Sequence, residues 1–146
     1  MSKSIVLGNI SPMIPAGTDV AGAIAFYEEQ LGFTTIYTEG MPITLAIVKR
    51  NSAEVFLYQN NDPHLAKWTT FRIQVENIEQ LYEEFQAKGG AMFHPNGQLQ
   101  TQPWGAKEFV VLDIVGVCIT FYETVLWFYK LMTFNPQNEV IVQWQD

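Results

Sequence analysis

The residue types that most often perform covalent chemistry are few in this chain. Cys118 is the single cysteine, and His64 and His94 are the only histidines. Each histidine neighbours a proline, in a segment typical of a surface loop. No nucleophile elbow, dinucleotide fingerprint or phosphate-binding loop occurs in the sequence. A Ser-His-Asp or Cys-His mechanism therefore has no support, and Cys118, inside an apolar run, is predicted to be a small buried hydrophobic residue.

Three other side chains are candidates for acid–base chemistry. Glu54, Tyr122 and Glu123 lie in or beside segments with the composition of β-strands. In a cleft from which water is excluded, a carboxylate or a phenol can take up or donate a proton. The sequence therefore leaves open an enzyme with an atypical active site.

A larger set of side chains is suited to binding. Aromatic residues make up 14% of the chain, and a π-face attracts both planar rings and cations. Phe56 and Tyr58 share one face of a strand, and Trp104 precedes Gly105 in a polar loop. The candidates for lining a ligand cleft are Phe33, Tyr37, Phe56, Tyr58, Trp68, Trp104, Phe109 and Tyr122, with Glu108 as a source of negative charge. Packing in the core or at a subunit interface is the alternative role for each aromatic residue.

The elements that must position these side chains occur twice, and the first copy begins with a short strand over 10–15. Asp19 is predicted to cap a helix whose apolar residues recur at helical spacing as far as Leu31. Gly32 ends the helix, because glycine adopts the left-handed conformation of a helix C-terminus. Three β-rich runs follow, over 33–38, 43–48 and 55–59.

The second copy begins with a strand over 70–75, in which apolar residues alternate with Arg72 and Gln74. Asn77 is predicted to cap a helix over 78–88, which ends at Gly89. Three runs typical of strands follow, over 91–94, 108–112 and 117–123. A repeated unit of this kind cannot bury its apolar face alone, so two must pack together. The sequence therefore predicts an α+β fold of two βαβββ repeats that form a curved mixed sheet.

The repeats divide the chain into a lead over 1–9, modules over 10–62 and 63–123, and an extension over 124–146. The extension has no counterpart in the first module and is predicted to pack on the core or on a second subunit. The lead is too short for a signal-peptide core, and no apolar run approaches the ~18 residues of a membrane span. These features predict a cytoplasmic protein without a membrane partner.

Charge and composition restrict the class of partner. The net charge of −7 disfavours nucleic acid, which is bound through Lys and Arg. It favours a cationic ligand through the long-range field, although ordinary solubility is an equally valid reason for it. Only 16% of residues are charged against 48% that are hydrophobic, which indicates extra buried surface in a dimer or a lined cleft.

Several short motifs give the repeats a family resemblance. The motifs are Asp19, Phe26-Tyr27 and Leu31-Gly32-Phe33 in the first module, and Pro103-Trp104-Gly105, Glu108-Phe109, Asp113, Gly116 and Phe121-Tyr122-Glu123 in the second. Over 10–123 the chain resembles the vicinal-oxygen-chelate superfamily, which includes glyoxalase I, extradiol dioxygenases, fosfomycin-resistance thiol transferases and bleomycin-resistance proteins. The second module is most similar to the bleomycin-resistance branch. One departure is Asp113-Ile114-Val115-Gly116-Val117, where the family usually has Asp-Pro-x-Gly-Asn, so a different turn is expected.

The resemblance also locates where a metal would bind. Enzymes of this superfamily place His, Glu or Gln at four strand positions, two in each half, and the corresponding residues here are Pro12, Phe56, Thr70 and Thr120. Proline and phenylalanine offer no ligand atom, and neutral threonine hydroxyls bind divalent metals poorly. A shift of one residue in either direction supplies no better ligand. The resemblance therefore implies neither a metal nor another cofactor.

The function implied by the resemblance is that of a metal-free small-molecule binding protein of the glyoxalase/bleomycin-resistance type. It would sequester an aromatic or cationic compound, in clefts lined by two chains of a homodimer whose halves or arms exchange. One alternative is a lyase-, dioxygenase- or transferase-like enzyme of the same superfamily, using Glu54, Tyr122 or Glu123. Another is a structural or partner-binding module with the apolar extension as its contact surface.

Overall fold

A computed structural model describes residues 2–125, 132–134 and 140–142 of the chain. The first module contains one helix and one four-stranded sheet. Its elements are β1 (Met13–Pro15), α1 (Val20–Glu29), β2 (Thr34–Glu39), β3 (Leu45–Arg50) and β4 (Ala53–Tyr58). The sheet order is β1-β4-β3-β2, in which β1 lies parallel to β4 and the other neighbours are antiparallel.

The second module repeats this arrangement. Its elements are α2 (Pro63–Trp68), β5 (Thr70–Gln74), α3 (Ile78–Ala87), β6 (Gln100–Thr101), β7 (Ala106–Leu112) and β8 (Cys118–Thr124). The sheet order β5-β8-β7-β6 matches that of the first module, with β5 parallel to β8. The prediction of an α+β fold built from two βαβββ repeats is confirmed. Among the described residues, no helix combines the length and apolar character that a membrane crossing requires.

Two short strands follow in the extension. β9 (Met132–Phe134) pairs antiparallel with β10 (Val140–Val142). Most of the apolar run at 125–131 lies outside the described residues, as does the end of the strand-like run at 140–144. The packing of the extension on the core or on another subunit stays a prediction.

Helix α2 was not predicted, although its start signal is present. Asp62 accepts a hydrogen bond from the backbone N–H of His64 at 2.9 Å, and Pro63 occupies the first turn. Proline suits this position because the first N–H groups of a helix have no partner within it. The polar run over 60–63 hides this signal, because such a run is equally typical of a linker between modules.

The two long helices have different N-terminal caps. Asp19 accepts from the backbone N–H of Gly22 at 3.0 Å, which confirms the predicted cap of α1. Asn77 precedes α3 in the left-handed conformation, with φ 62°, and its side chain makes no capping hydrogen bond. The carboxylate of Glu123 accepts instead from the backbone N–H groups of Asn77 and Ile78, at 3.2 and 2.8 Å. The prediction of an Asn77 side-chain cap is therefore wrong.

Replacing Glu123 with alanine is expected to lower the free energy of unfolding by about 1 kcal/mol, the usual cost of removing a cap. Urea denaturation of the variant measures this loss. The matched control is Glu83→Ala, which removes the same charge from an exposed position on α3. Equal stability of the two variants would contradict the capping role.

The predicted strand over 91–94 is also wrong. Only Phe93 forms a β-bridge there, with Val111, and the edge of the sheet is provided by β6 instead. Hydrogen bonds between Leu112 and Met92 and between His94 and Val110 flank this bridge, and pairing stops there because the next residue, Pro95, has no N–H.

The modules join through the sides of their sheets that carry the helices. Buried residues of both modules form one continuous core. Within this junction the Tyr27 hydroxyl donates to Asp113 at 3.0 Å, and the same carboxylate accepts from the backbone N–H groups of Val115 and Val117 at 3.0 and 2.9 Å. Arg50 of β3 donates two hydrogen bonds to Glu84 of α3, at 2.8 and 3.0 Å. Within residues 2–125, each sheet therefore keeps its opposite face open.

Candidate functional site

The open face of the first sheet follows from the alternation of β4. Val55 and Leu57 are buried in the core, so the side chains of Phe56 and Tyr58 project from the opposite face. Both aromatic side chains are half-buried. The predicted common face of Phe56 and Tyr58 is confirmed.

A continuous row of apolar side chains crosses this face. Phe56 is paired with Met13 of β1 and with Ile47 of β3, and Ile47 is paired with Tyr37 of β2. Residues paired directly across strands project from the same face. Met13 is 62% exposed and Tyr37 is 48% exposed. This apolar row (Met13, Phe56, Ile47 and Tyr37) provides an open surface for a flat apolar group.

The open face of the second sheet is polar and aromatic. Phe109 and Phe121 are buried among the side chains of the core. The opposite face therefore carries Glu108 of β7 and Tyr122 of β8, which are directly paired. Arg72 of β5 belongs to the same face, because its partner Thr120 lies two residues before Tyr122.

Four side chains on this face form a hydrogen-bonded and stacked group, the Trp104 cluster (Trp104, Glu108, Arg72 and Tyr122). The Glu108 carboxylate accepts from both terminal nitrogens of Arg72, at 3.0 and 2.9 Å. It also accepts from the indole Nε1–H of Trp104 at 3.0 Å. The Arg72 guanidinium lies over the ring of Tyr122, 4.5 Å from its centroid.

The cluster holds an exposed indole in a fixed position. Glu108 is only 4% exposed, whereas Trp104 is 56% exposed. The hydrogen bonds to Glu108 raise the pKa of Arg72 above its ordinary value, so the guanidinium keeps its positive charge. Because Glu108 is neutralised by Arg72, its predicted role as a free negative charge is wrong.

The structure also corrects three predictions about single residues. Phe33 and Phe109 were predicted to line the cleft, but both are buried in the core and face away from the open sheets. Trp68, by contrast, is 85% exposed at the end of α2, near the end of β5 that is farther from the Trp104 cluster, and its role in ligand binding stays a prediction. Cys118 is half-buried rather than buried.

Five other residues predicted to line the cleft lie on the open faces. Tyr37, Phe56 and Tyr58 lie on the first open face, whereas Trp104 and Tyr122 lie on the second, and their roles in ligand binding stay predictions. Sequence reasoning missed Arg72, Met13 and Ile47. Arg72 had a usable signal, since its alternation with apolar neighbours in β5 already assigned it to the face opposite the core.

The strand register changes one of the four family metal positions. Met13 pairs with Phe56 and Arg72 pairs with Thr120, so the residue two before Met13, Ser11, is the counterpart of Thr70. Pro12 was assigned by counting back from Asp19 and is therefore wrong by one residue. The connection from Met13 to Asp19 is one residue longer than the one from Arg72 to Asn77, which explains the error.

The corrected set of residues does not fit a divalent metal. Ser11, Phe56, Thr70 and Thr120 supply no imidazole, thiolate or carboxylate. The fixed positive charge of Arg72 on the same face opposes a second cation. Within the part of the chain that the structure describes, no three His, Cys, Asp or Glu side chains group as a metal site would require.

The acid–base candidates are not brought together. Glu54 belongs to the first sheet and accepts from the Ser11 hydroxyl at 3.1 Å. Tyr122 and Glu123 are adjacent in β8, so they project from opposite faces, and Glu123 caps α3. Each of these side chains already has a structural partner, and the geometry gives no support for a shared proton-transfer site.

A separate groove of about 700 Å³ lies at the seam between the modules. Phe33, Leu81 and Phe121 contribute apolar lining, and Arg50 and Glu84 lie at its polar side. The charges of Arg50 and Glu84 are paired with each other. This seam groove offers no exposed aromatic surface comparable to the two open faces, so we regard the open faces as the candidate site.

Comparisons of sequence identify the family of the chain. The profile of the Glyoxalase/Bleomycin resistance protein/Dioxygenase superfamily matches residues 14–121. A bleomycin resistance protein of Geobacillus stearothermophilus is 28% identical over 131 residues, covering 78% of this chain and 95% of the relative. A bleomycin resistance protein of Staphylococcus aureus gives the same values.

Comparisons of structure identify the same fold. The bleomycin-binding protein from bleomycin-producing Streptomyces verticillus, solved with copper(II)-bleomycin, has a TM-score of 0.68 at 23% identity, covering 84% of this chain and 98% of that protein. The bleomycin resistance determinant encoded on transposon Tn5 has a TM-score of 0.67 at 20% identity, covering 82% and 100%. Lactoylglutathione lyase from Agrobacterium tumefaciens has a TM-score of 0.61 at 17% identity, covering 82% and 96%.

Proposed function

This chain belongs to the Glyoxalase/Bleomycin resistance protein/Dioxygenase superfamily, and on that premise we propose that it binds a small molecule without a metal and without converting it. Curated relatives of the chain are bleomycin resistance proteins, and a bleomycin-binding protein shares its fold, which supports binding of a small molecule as the activity. The ligand proposed is a flat aromatic compound, and the net charge of −7 favours one that is cationic overall.

The observation that carries the proposal is the pairing of exposed aromatic surface with a set of family metal positions that has no ligand atoms. The apolar row and the Trp104 cluster present aromatic faces that stacking ligands use. Ser11, Phe56, Thr70 and Thr120 stand where a metal-using enzyme needs strong ligands. The same faces can therefore bind a ring but lack the groups to activate it.

Calorimetric titration with a bleomycin-type glycopeptide, in the presence of a chelator, tests this proposal. Saturable binding of the chelator-treated protein is the expected result, with the ligand recovered unchanged when the mixture is analysed by mass spectrometry. A requirement for added metal, or a modified ligand, would favour the enzyme alternative. Absence of binding by this glycopeptide and by other flat aromatic cations would contradict the proposal.

A homodimer is part of the proposal, because residues 2–125 of one chain leave both open faces uncovered. The N-terminal arm (residues 2–10) supports this assembly. It has no regular structure and carries Ile5, Val6, Leu7 and Ile10, each at least 85% exposed. Apolar side chains in such numbers are characteristic of a surface that a partner covers. We propose that the arm of each chain packs on the second copy.

Replacing Ile5 and Leu7 together with aspartate is expected to convert the dimer to a monomer of 16.6 kDa, because charges cannot be buried unpaired at an apolar interface. Size-exclusion chromatography with light scattering measures the mass. The control is Met41→Asp, which adds a charge at a fully exposed apolar side chain outside the arm. A mass that is the same for the arm variant and the wild type would exclude the arm from the interface.

A further inference from the structure

We infer that the ligand carries a planar hydrogen-bond acceptor, such as a carboxylate or a ring carbonyl, that binds the Arg72 guanidinium beside Trp104. This inference rests on the proposed function and specifies the ligand chemistry of the second open face. The ligand would then carry this acceptor in addition to its aromatic ring, and neither stacking nor the net charge of the protein predicts such a group.

Arg72 has hydrogen-bond donors that its carboxylate partner does not use. Glu108 accepts one hydrogen bond from each terminal nitrogen of the guanidinium. A guanidinium carries further N–H donors, and within residues 2–125 those of Arg72 have no acceptor. The side chain is 46% exposed, so these donors are accessible from the open face.

Arg50 shows what a purely structural arginine does in the same protein. It makes an equivalent two-bond pair with Glu84, but it also donates to the backbone carbonyl of Leu31 at 2.8 Å. Arg50 therefore connects a loop, a strand and a helix across the module seam. Among the described residues Arg72 has no such third partner, although Glu108 holds it with the same number of hydrogen bonds.

The orientation of Arg72 is fixed by two contacts before any ligand arrives. Glu108 holds the guanidinium within the plane of their hydrogen bonds, and Tyr122 lies against its face. A guanidinium held in this way presents its remaining donors in one plane, which suits an acceptor on a planar molecule. The exposed indole of Trp104, bonded to the same carboxylate, gives that molecule an aromatic surface to stack on.

The electrostatics of the cluster favour an acceptor over a cation at this point. Both oxygens of Glu108 are used by Arg72 and Trp104, and its charge is neutralised by Arg72. A cationic group placed beside the guanidinium would meet a like charge and find no free carboxylate. The net charge of the protein can still attract a ligand that is cationic elsewhere.

Matched naphthalene probes test the inference. They are 2-naphthoate and 2-naphthamide, which carry acceptors, and 2-naphthylmethylammonium, which carries only donors. Affinities are measured for the full chain by ¹H–¹⁵N shift titration, which detects weak binding. We expect both acceptor probes to bind about tenfold more tightly than the ammonium probe, as a charge-assisted hydrogen bond implies.

Three variants identify Arg72 as the source of that preference. The double variant Arg72→Gln/Glu108→Gln removes both charges together, so no buried carboxylate is left unpaired, and should abolish the preference. Arg72→Lys keeps the charge but loses the planar donors, and should reduce the preference. This variant provides the test if the double variant fails to fold. Arg50→Gln breaks the matched pair at the module seam and should leave the preference unchanged.

Equal or tighter binding of the ammonium probe to the wild type would overturn the inference, as would a preference that persists in the folded double variant or in Arg72→Lys. Absence of binding by all three probes would overturn it as well. A bleomycin-type glycopeptide is titrated in parallel. If the glycopeptide binds while the probes show no acceptor preference, the inference fails and the proposed function stands. If nothing binds, both fail.

Discussion

Replacing Trp104 with alanine is expected to weaken the binding of a bleomycin-type glycopeptide about thirtyfold. An exposed tryptophan at the centre of a binding surface contributes about 2 kcal/mol or more, which corresponds to this change in affinity. The indole is 56% exposed and Glu108 keeps its two bonds to Arg72, so the melting temperature should stay close to that of the wild type. Calorimetric titration and thermal denaturation measure the two effects.

Trp68→Ala is the matched control for this prediction. Trp68 is an exposed tryptophan of the same module, located at the far end of β5 from the Trp104 cluster. Its replacement should change the affinity by less than about threefold, as expected for a residue outside the energetic centre of a binding surface. A larger loss for Trp68→Ala than for Trp104→Ala would place the ligand at the other end of the sheet.

The second large effect is expected at Asp113, in the junction between the modules. Asp113→Ala removes the acceptor for the Tyr27 hydroxyl and for the backbone N–H groups of Val115 and Val117. Each buried donor left without an acceptor costs about 1–3 kcal/mol, so the free energy of unfolding should fall by about 3 kcal/mol or more. Urea denaturation measures the loss, and a change below about 1 kcal/mol would contradict the role of this junction.

Asp113→Asn keeps the shape of the side chain but removes the group that titrates, so it separates the effect of packing from that of ionisation. Burial raises the pKa of Asp113 above its ordinary value of 3.8, although hydrogen bonds from Val117, Tyr27, Val115 and Gly116 act in the opposite direction. The folded protein therefore keeps the proton on Asp113 to a higher pH than the unfolded chain does. Its contribution to stability is present below pH 3.8 and is lost as the pH rises through the raised pKa of the folded state.

The stability of the wild type relative to Asp113→Asn should therefore decrease as the pH rises from about 4 towards neutrality. Unfolding by urea at a series of pH values measures this difference. Parallel pH profiles for the two proteins would show that Asp113 does not titrate differently in the folded and unfolded states.

The repeated fold was accessible from the sequence because its signals are local. The Asp19 cap, the left-handed Gly32 with φ 74°, and the alternation of β5 each depend on neighbouring residues. Two copies of the same local signals predict two copies of the same module. Helix α2 also had a local signal in Asp62-Pro63, which the polarity of the linker obscured.

The parts that sequence reasoning missed depend on contacts between distant residues. Glu123 caps α3 from 45 residues away, and Arg72 meets Glu108 across 36 residues. In β7, the neighbours Glu108 and Phe109 are both buried but project from opposite faces. The sequence alone does not show which of these two faces belongs to the core. Without the Arg72 partner, a buried carboxylate could not be assigned to the open face, and Phe109 was taken for a cleft residue.

The central claim is that the open faces bind a flat ligand without converting it. The most direct measurement follows the indole N–H signals of Trp104 and Trp68 in a ¹H–¹⁵N spectrum during titration with a bleomycin-type glycopeptide, with Trp104→Ala and Trp68→Ala assigning the two signals. We predict a saturable shift for Trp104, little change for Trp68, and a ligand that stays chemically intact. Shifts confined to residues of the seam groove, such as Arg50 and Leu81, or conversion of the ligand, would contradict the account.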